Sequence, residues 1–215
     1  MHTILGAGGA IGIELVSHLA KKGLRIRLVS RNPKRTGDAD QVISADLANL
    51  DQTISAVAGS EVVYLLVGLK YELRIWRELW PRIVNNAIEA CKRANAKLVF
   101  FDNVYAYGKV VGPMTEQTPF NPCSRKGEIR AQIATTLLNE FTQGSLTALI
   151  ARSPDFYGPR VQTSVANRLV LDKFAQRAKA SWLVNDAVRH SWTFSPDAGK
   201  SLALLAESDS ACSIG

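Results

Sequence analysis

Apolar positions along this chain follow two alternating rhythms. Short apolar runs at His2–Leu5, Leu24–Val29, Val42–Ala45, Glu61–Val67, Lys97–Phe101 and Leu146–Ala151 are too short for buried helices and are rich in branched residues, so they predict buried strands. Between them, Ala10–Lys22, Leu50–Ala58, Glu72–Ala94 and Lys126–Thr142 carry the spacing of one-faced helices. Pro81 lies inside the third of these and lacks a backbone donor, which predicts a kink or two pieces. Strand and helix alternating in this way predict βαβ units, hence an α/β fold with a doubly wound parallel sheet.

After Ala151 the rhythm loosens. A helix over Ser164–Lys179, a short strand over Trp182–Val184 and a final helix opening at Ser195-Pro196-Asp197 are the remaining predictions. Ser195 would be the N-cap, Pro196 the first helical residue and Asp197 a favourable charge on the helix dipole. Residues 1–160 are thus expected to form the main domain. Residues 161–215 would add a partial C-terminal lobe and a last helix packed on that same domain.

Composition narrows the class. A chain of 215 residues, 47% apolar and 21% charged, excludes general disorder. At this length roughly 70% of the unfolded surface can be buried, so neither disulfides nor metals are needed for stability. The net charge of +7 comes from basic residues scattered along the chain, with only Arg31, Lys34 and Arg35 close together. That distribution suits an anionic cofactor better than an extended nucleic-acid surface. Three separated cysteines, Cys91, Cys123 and Cys212, without zinc spacing point to a reducing cytoplasm and no metal site. The apolar N-terminus lacks a basic leader and holds four glycines before Ala20, which argues against a signal peptide. No apolar run reaches the roughly 18 residues of a membrane span.

Candidate chemistry begins at Gly6-Ala7-Gly8-Gly9-Ala10-Ile11-Gly12, which leaves the first strand and opens the first helix. In that position a glycine loop lets a pyrophosphate approach the backbone, with helix amides and the dipole supplying positive potential. Gly6, Gly9, Ala10, Ile11 and Gly12 are therefore candidate dinucleotide contacts, spaced GxxGxxG rather than GxGxxG. Val67, closing the fourth strand, is added to that set. Arg31 follows the second strand, 19 residues past Gly12, where an acid would take a ribose hydroxyl and an arginine accommodates a 2′-phosphate. NADP is thus favoured, with NAD as the alternative. Asp46 and Leu47 follow the third strand, where the carboxylate could meet the adenine edge and the leucine its face.

Further segments complete a pattern: Ala45-Asp46-Leu47, Asp102-Asn103-Val104-Tyr105-Ala106-Tyr107-Gly108, Arg152-Ser153-Pro154-Asp155-Phe156-Tyr157-Gly158-Pro159, and His190-Ser191-Trp192-Thr193-Phe194-Ser195-Pro196-Asp197. With the glycine loop, their order resembles the NAD-dependent epimerase/dehydratase family, the extended and atypical branch of the short-chain dehydrogenases/reductases. The resemblance implies a Rossmann fold and hydride transfer at a carbonyl or carbinol carbon of a sugar-like or other small substrate. It also implies a catalytic Ser or Thr where Asn103 stands, and a Tyr-x-x-x-Lys motif that matches Lys126 but meets Pro122 at the tyrosine. Members of that family continue further, which implies a fragment or an open substrate pocket, and a homodimer is compatible with the resemblance.

Lys126 shares a helix side with Ile129, Arg130, Ile133 and Leu137, so it should point toward the sheet's end and reach the nicotinamide ribose. With the tyrosine absent, Tyr107 and Tyr157 are the leading candidates to move the proton, and Tyr105, Asp102, Asp155 and His190 are further ones. The catalytic set is Lys126, Asn103, Tyr107 and Tyr157. A non-catalytic NADP-binding sensor is the alternative that Pro122 favours.

Overall fold

In the computed structural model, residues 1–162, 164–182, 185, 187 and 189–208 are described. Six parallel strands, β1 (His2–Leu5), β2 (Ile26–Ser30), β3 (Gln41–Ser44), β4 (Val62–Leu65), β5 (Lys97–Asn103) and β6 (Ala148–Ser153), lie in the order β3-β2-β1-β4-β5-β6. The chain is wound outward twice from the centre, so strand order reverses between β1 and β4. That reversal leaves a crevice at the strands' carboxyl ends, where sheets of this kind place their ligands.

Period-two alternation divides the core. Leu5, Val29, Val63, Leu65, Leu98 and Phe100 pack beneath α2 (Leu50–Val57), α3 (Leu73–Ala94) and α4 (Arg125–Thr142). Ile4, Leu28, Tyr64, Val99 and Leu149 lie on the other face beneath α1 (Ala10–Lys21) and α6 (Ser195–Glu207). Pro81 is accommodated inside α3, which remains one helix of 22 residues. Trp76, Trp80, Val84 and Ala87 bury one face of that helix, and this packing outweighs the missing hydrogen bond.

The last helix closes the second layer. Gly199 lets α6 approach α1 closely, since a Cβ there would lie 2.6 Å from Glu14 Cβ. Lys97 Nζ donates to the carbonyls of Ala206 at 2.9 Å and Ser208 at 3.0 Å, capping the helix C-terminus from β5.

The C-terminal segment departs from the sequence reading. Asp155–Tyr157 (β7) and Trp192–Phe194 (β8) form a parallel two-stranded sheet, with a π-turn over Asn167–Leu171 and the short α5 (Asp172–Ala175) between them. The helix expected over Ser164–Lys179 stops early, because Arg177 takes a left-handed conformation at φ 54°. Of the strand expected over Trp182–Val184, Trp182 is not in a strand and the other two residues lie outside the described ones. Ser195 is not the N-cap of α6. Phe194 takes that place, and the Ser195 hydroxyl donates instead to Pro159 O at 3.2 Å, tying the helix start to the loop after β7.

Candidate active site

The glycine loop is pinned before it turns. Gly6 N and Ala7 N both donate to Val29 O, at 2.9 and 3.2 Å, which folds the chain back over the end of β2. Gly6 has φ 87°, and a Cβ on it would lie 2.8 Å from the backbone of Val67, so Val67 closes the loop against β4. Gly9 caps α1 without any side-chain hydrogen bond to the first-turn amides, and space around Gly8 and Gly9 is open. Ala10 and Ile11 form the first turn, and Gly12 is buried against Ala7 and Leu66. An uncapped helix start beneath an unobstructed glycine pair fits a dinucleotide pyrophosphate.

At the end of β2, Arg31 and Lys34 are exposed, and Arg31 O accepts from Ser44 Oγ at 2.7 Å. Arg35 is drawn back onto Ala39 O. Asp46 is exposed after β3, its carboxylate accepting from Ala48 N at 3.0 Å. Leu47 is only 7% exposed and packs into the core, leaving Asp46 as the accessible member of the pair.

A cavity of about 320 Å³ opens at the carboxyl ends of β4, β5 and β6. Tyr71, Asn103, Tyr105, Asp155 and His190 line it, with Trp76, Trp80 and Arg130 reaching it from α3 and α4. His190 Nε2 lies 2.9 Å from Asp155 Oδ2, a pair that joins β7 to the segment before β8. Asn103 Oδ1 accepts from Tyr105 N at 2.9 Å, fixing the turn that presents Tyr105. Burial, followed by its hydrogen bond with Tyr71, pushes the Tyr105 phenol well above its ordinary range. Tyr105 therefore keeps its proton and is suited to donate a hydrogen bond, not to act as a base.

The other expected site residues are elsewhere. Lys126 Nζ donates to Tyr71 O at 2.9 Å and stands 3.0 Å above the Tyr71 ring centre, a cation–π contact that holds it beside the cavity without lining it. Tyr107 is buried, its hydroxyl accepting from Arg152 Nη1 at 3.0 Å and its ring against Phe120. Tyr157 packs on Phe194. Neither tyrosine lines the cavity. Cys123, near the start of α4, is exposed.

Beneath the cavity, Asp102 lies 3.0 Å from Arg130 Nη1 and 3.9 Å from Arg152 Nε. Burial raises the Asp102 carboxyl against the pull of Arg130, and burial likewise lowers the Arg130 guanidinium. Arg130, Trp76, Trp80 and Tyr71 were not assigned roles from the sequence. The available signals were a cation inside the apolar stripe Ile129, Ile133, Leu137 and an acid ending the apolar run of β5.

The profile of the NAD dependent epimerase/dehydratase family matches residues 2–211. The chain belongs to this family. Its fold is also that of several solved structures, including MoeE5 in complex with UDP-glucose and NAD, at TM-score 0.77 and 22% identity over 97% of this chain and 72% of the other. UDP-N-acetylglucosamine 4-epimerase from Methanobrevibacter ruminantium M1, in complex with UDP-N-acetylmuramic acid, superposes at TM-score 0.82 and 18% identity over 97% and 73% of the two chains. UDP-glucose 4-epimerase from Thermus thermophilus, complexed with NAD, gives TM-score 0.80 and 18% identity over 97% and 75%. Comparison with curated proteins returns no match. The Rossmann architecture of the family is the six-stranded sheet described above. Among the described residues no helix is long and apolar enough to cross a membrane, and no cluster of acidic, histidine or cysteine residues could hold a metal ion.

Proposed function

We propose that this chain is an NAD(P)-dependent oxidoreductase of the epimerase/dehydratase type, acting on a carbonyl or carbinol carbon of a sugar-like substrate. The observation that carries this reading is the juxtaposition of an open glycine cradle at β1 with a cavity at the ends of β4 to β6 that holds an acid–base pair and a phenol. Gly6, Gly8, Gly9 and the first turn of α1 would hold the pyrophosphate, Asp46 the adenosine end, and Lys126 the nicotinamide ribose. Exposed Arg31 supports NADP as the cofactor, while MoeE5 and the Thermus thermophilus UDP-glucose 4-epimerase are complexed with NAD. When bound, a nicotinamide cofactor supplies hydride transfer.

The chain must move one proton, and Pro122 cannot. His190, oriented by Asp155, takes that role in this proposal, because an imidazole both gives and accepts a proton at the cavity wall. Tyr105 donates a hydrogen bond to the reacting oxygen, beside Asn103 at the family's Ser/Thr position. Tyr107 and Tyr157 then act as positioning groups, the first through Arg152 and the second through β8. A cytoplasmic setting and a homodimer belong to the same proposal, on cysteine usage and family resemblance.

The test is turnover of sugar nucleotides followed by chromatographic analysis of the product, because epimerase/dehydratase chemistry returns the hydride and leaves the cofactor unchanged over a cycle. His190→Gln should lower the chemical rate by about 10² to 10⁴ while leaving NADPH affinity unchanged. A variant as fast as the parent contradicts the assignment. Pro122 favours a second reading, a non-catalytic cofactor-binding sensor, and cofactor binding without turnover of any carbonyl or carbinol substrate would select it.

A further inference from the structure

We propose that Tyr71 is the positioning residue for Lys126, an aromatic seat that holds the ammonium at the cavity's edge with its charge unneutralised and a donor to spare. The proposal rests on the reading above that Lys126 meets the nicotinamide ribose, and adds what fixes it in advance. A lysine side chain is long and among the most costly to order, so a site that uses its ammonium gains from a chain that pre-places it.

Lys126 Nζ stands 3.0 Å above the Tyr71 ring centre and 5.4 Å from that of Trp76, and donates to Tyr71 O at 2.9 Å. One residue thus supplies two contacts, from its ring and from its own carbonyl. An ammonium has three hydrogens, so neither contact exhausts its donors, and a ring face attracts a cation through its quadrupole without cancelling the charge. A carboxylate in the same place would hold the ammonium but neutralise it. Glu72, the acid next to Tyr71 in sequence, is ion-paired with Lys70, and among the described residues Lys126 forms no ion pair.

The seat is itself anchored. Lys70 O accepts from Trp76 Nε1 at 3.0 Å and from Glu72 N at 2.7 Å, which ties the backbone beside Tyr71 to a buried indole. The Tyr71 ring meets Trp76 edge-on at 5.5 Å and Tyr105 edge-on at 6.5 Å. On the other side, Gly127 is buried, and a Cβ on it would lie 2.6 Å from Tyr105 O, so α4 starts close against the turn that carries Tyr105. Folding stability does not account for the contact. Tyr71 is 64% exposed, and a cation–π contact open to solvent adds little to the fold. Its consequence lies at the cavity, whose wall Tyr71 helps to form.

The test is NADPH affinity by calorimetry in Tyr71→Phe, Tyr71→Leu, Lys126→Met and the double variant Tyr71→Leu/Lys126→Met, with isotope-labelled lysine to follow Lys126 by NMR. In the parent protein, ring current from Tyr71 should displace the Lys126 ε-methylene proton signal upfield of the other lysines. Tyr71→Phe should keep that displacement and Tyr71→Leu should lose most of it. NADPH affinity should fall roughly three- to thirtyfold in Tyr71→Leu, the range of one cation–π contact, and match the parent in Tyr71→Phe. The thermal unfolding midpoint should stay unchanged in both. In the Lys126→Met background, Tyr71→Leu should change affinity no further. Unchanged or tighter binding by Tyr71→Leu overturns the proposal, the latter because the ring would then compete with the cofactor for the ammonium. An equal loss in Tyr71→Phe, or a Tyr71→Leu effect that persists without Lys126, also overturns it, since Tyr71 would then meet the cofactor itself. A Lys126 signal among those of the other lysines overturns it whether or not NADPH binds. If the parent binds neither NADPH nor NADH, the functional reading falls, and the signal alone decides whether Tyr71 seats Lys126.

Discussion

Gly6 and Gly9 share one loop under different constraints. Gly6 combines φ 87° with a Cβ position 2.8 Å from Val67 backbone, whereas nothing lies within 4 Å of a Cβ on Gly9. Gly6→Ala should therefore cost about 1–3 kcal/mol of folding stability, read as a lower denaturant midpoint. A midpoint unchanged from the parent would show that the loop relaxes away from β4. Both glycines were legible in the sequence because a turn between a strand and a helix restricts residue type directly. Tyr71 and Arg130 were not, because their significance depends on neighbours up to 55 residues away, such as Lys126 on Tyr71. The same limit applied to Tyr107, which is close to the cavity in sequence yet hydrogen-bonded to Arg152 beneath the loop.

At the level of elements, the strands of the main sheet other than β3 were legible because each is a short apolar run with buried residues on both faces, and the half-buried edge strand β3 was legible from Val42 and Ile43. β7 and β8 were missed, since three residues carry too little period to separate strand from loop. Their pairing depends on contacts between positions far apart in the chain, and Ser153 Oγ donating to Thr193 Oγ1 at 2.7 Å, across 40 residues, reinforces it. The α1–α6 contact is a tight packing constraint between helices, with backbone of Glu14 and Leu15 2.8 Å from a Cβ on Gly199. Gly199→Val should force the helices apart and cost roughly 1–3 kcal/mol, measured by chemical denaturation. Full stability in that variant would mean that α6 docks with slack.

For the molecule as a whole, β1 ties stability to pH through His2. Burial lowers the His2 pKa from its ordinary 6.5, and Nδ1 lies 3.1 Å from Tyr64 Oη between β1 and β4. The unfolded chain then takes up the proton first as pH falls. This contribution is fully present above pH 6.5 and is lost as pH drops below it toward the folded pKa. Unfolding free energy should accordingly fall as the pH is lowered through about 6.5, and His2→Gln should flatten part of that slope; an identical slope in the variant would assign the acid sensitivity elsewhere. The central claim, however, is that the glycine cradle holds a nicotinamide dinucleotide beside the cavity. NADPH titrated calorimetrically into the parent protein and into folded Gly9→Val tests it most directly. The account predicts saturable binding by the parent and none by the variant, because a branched side chain fills the open space above the helix start. Equal affinity in both proteins would place the cofactor away from the cradle and contradict the account.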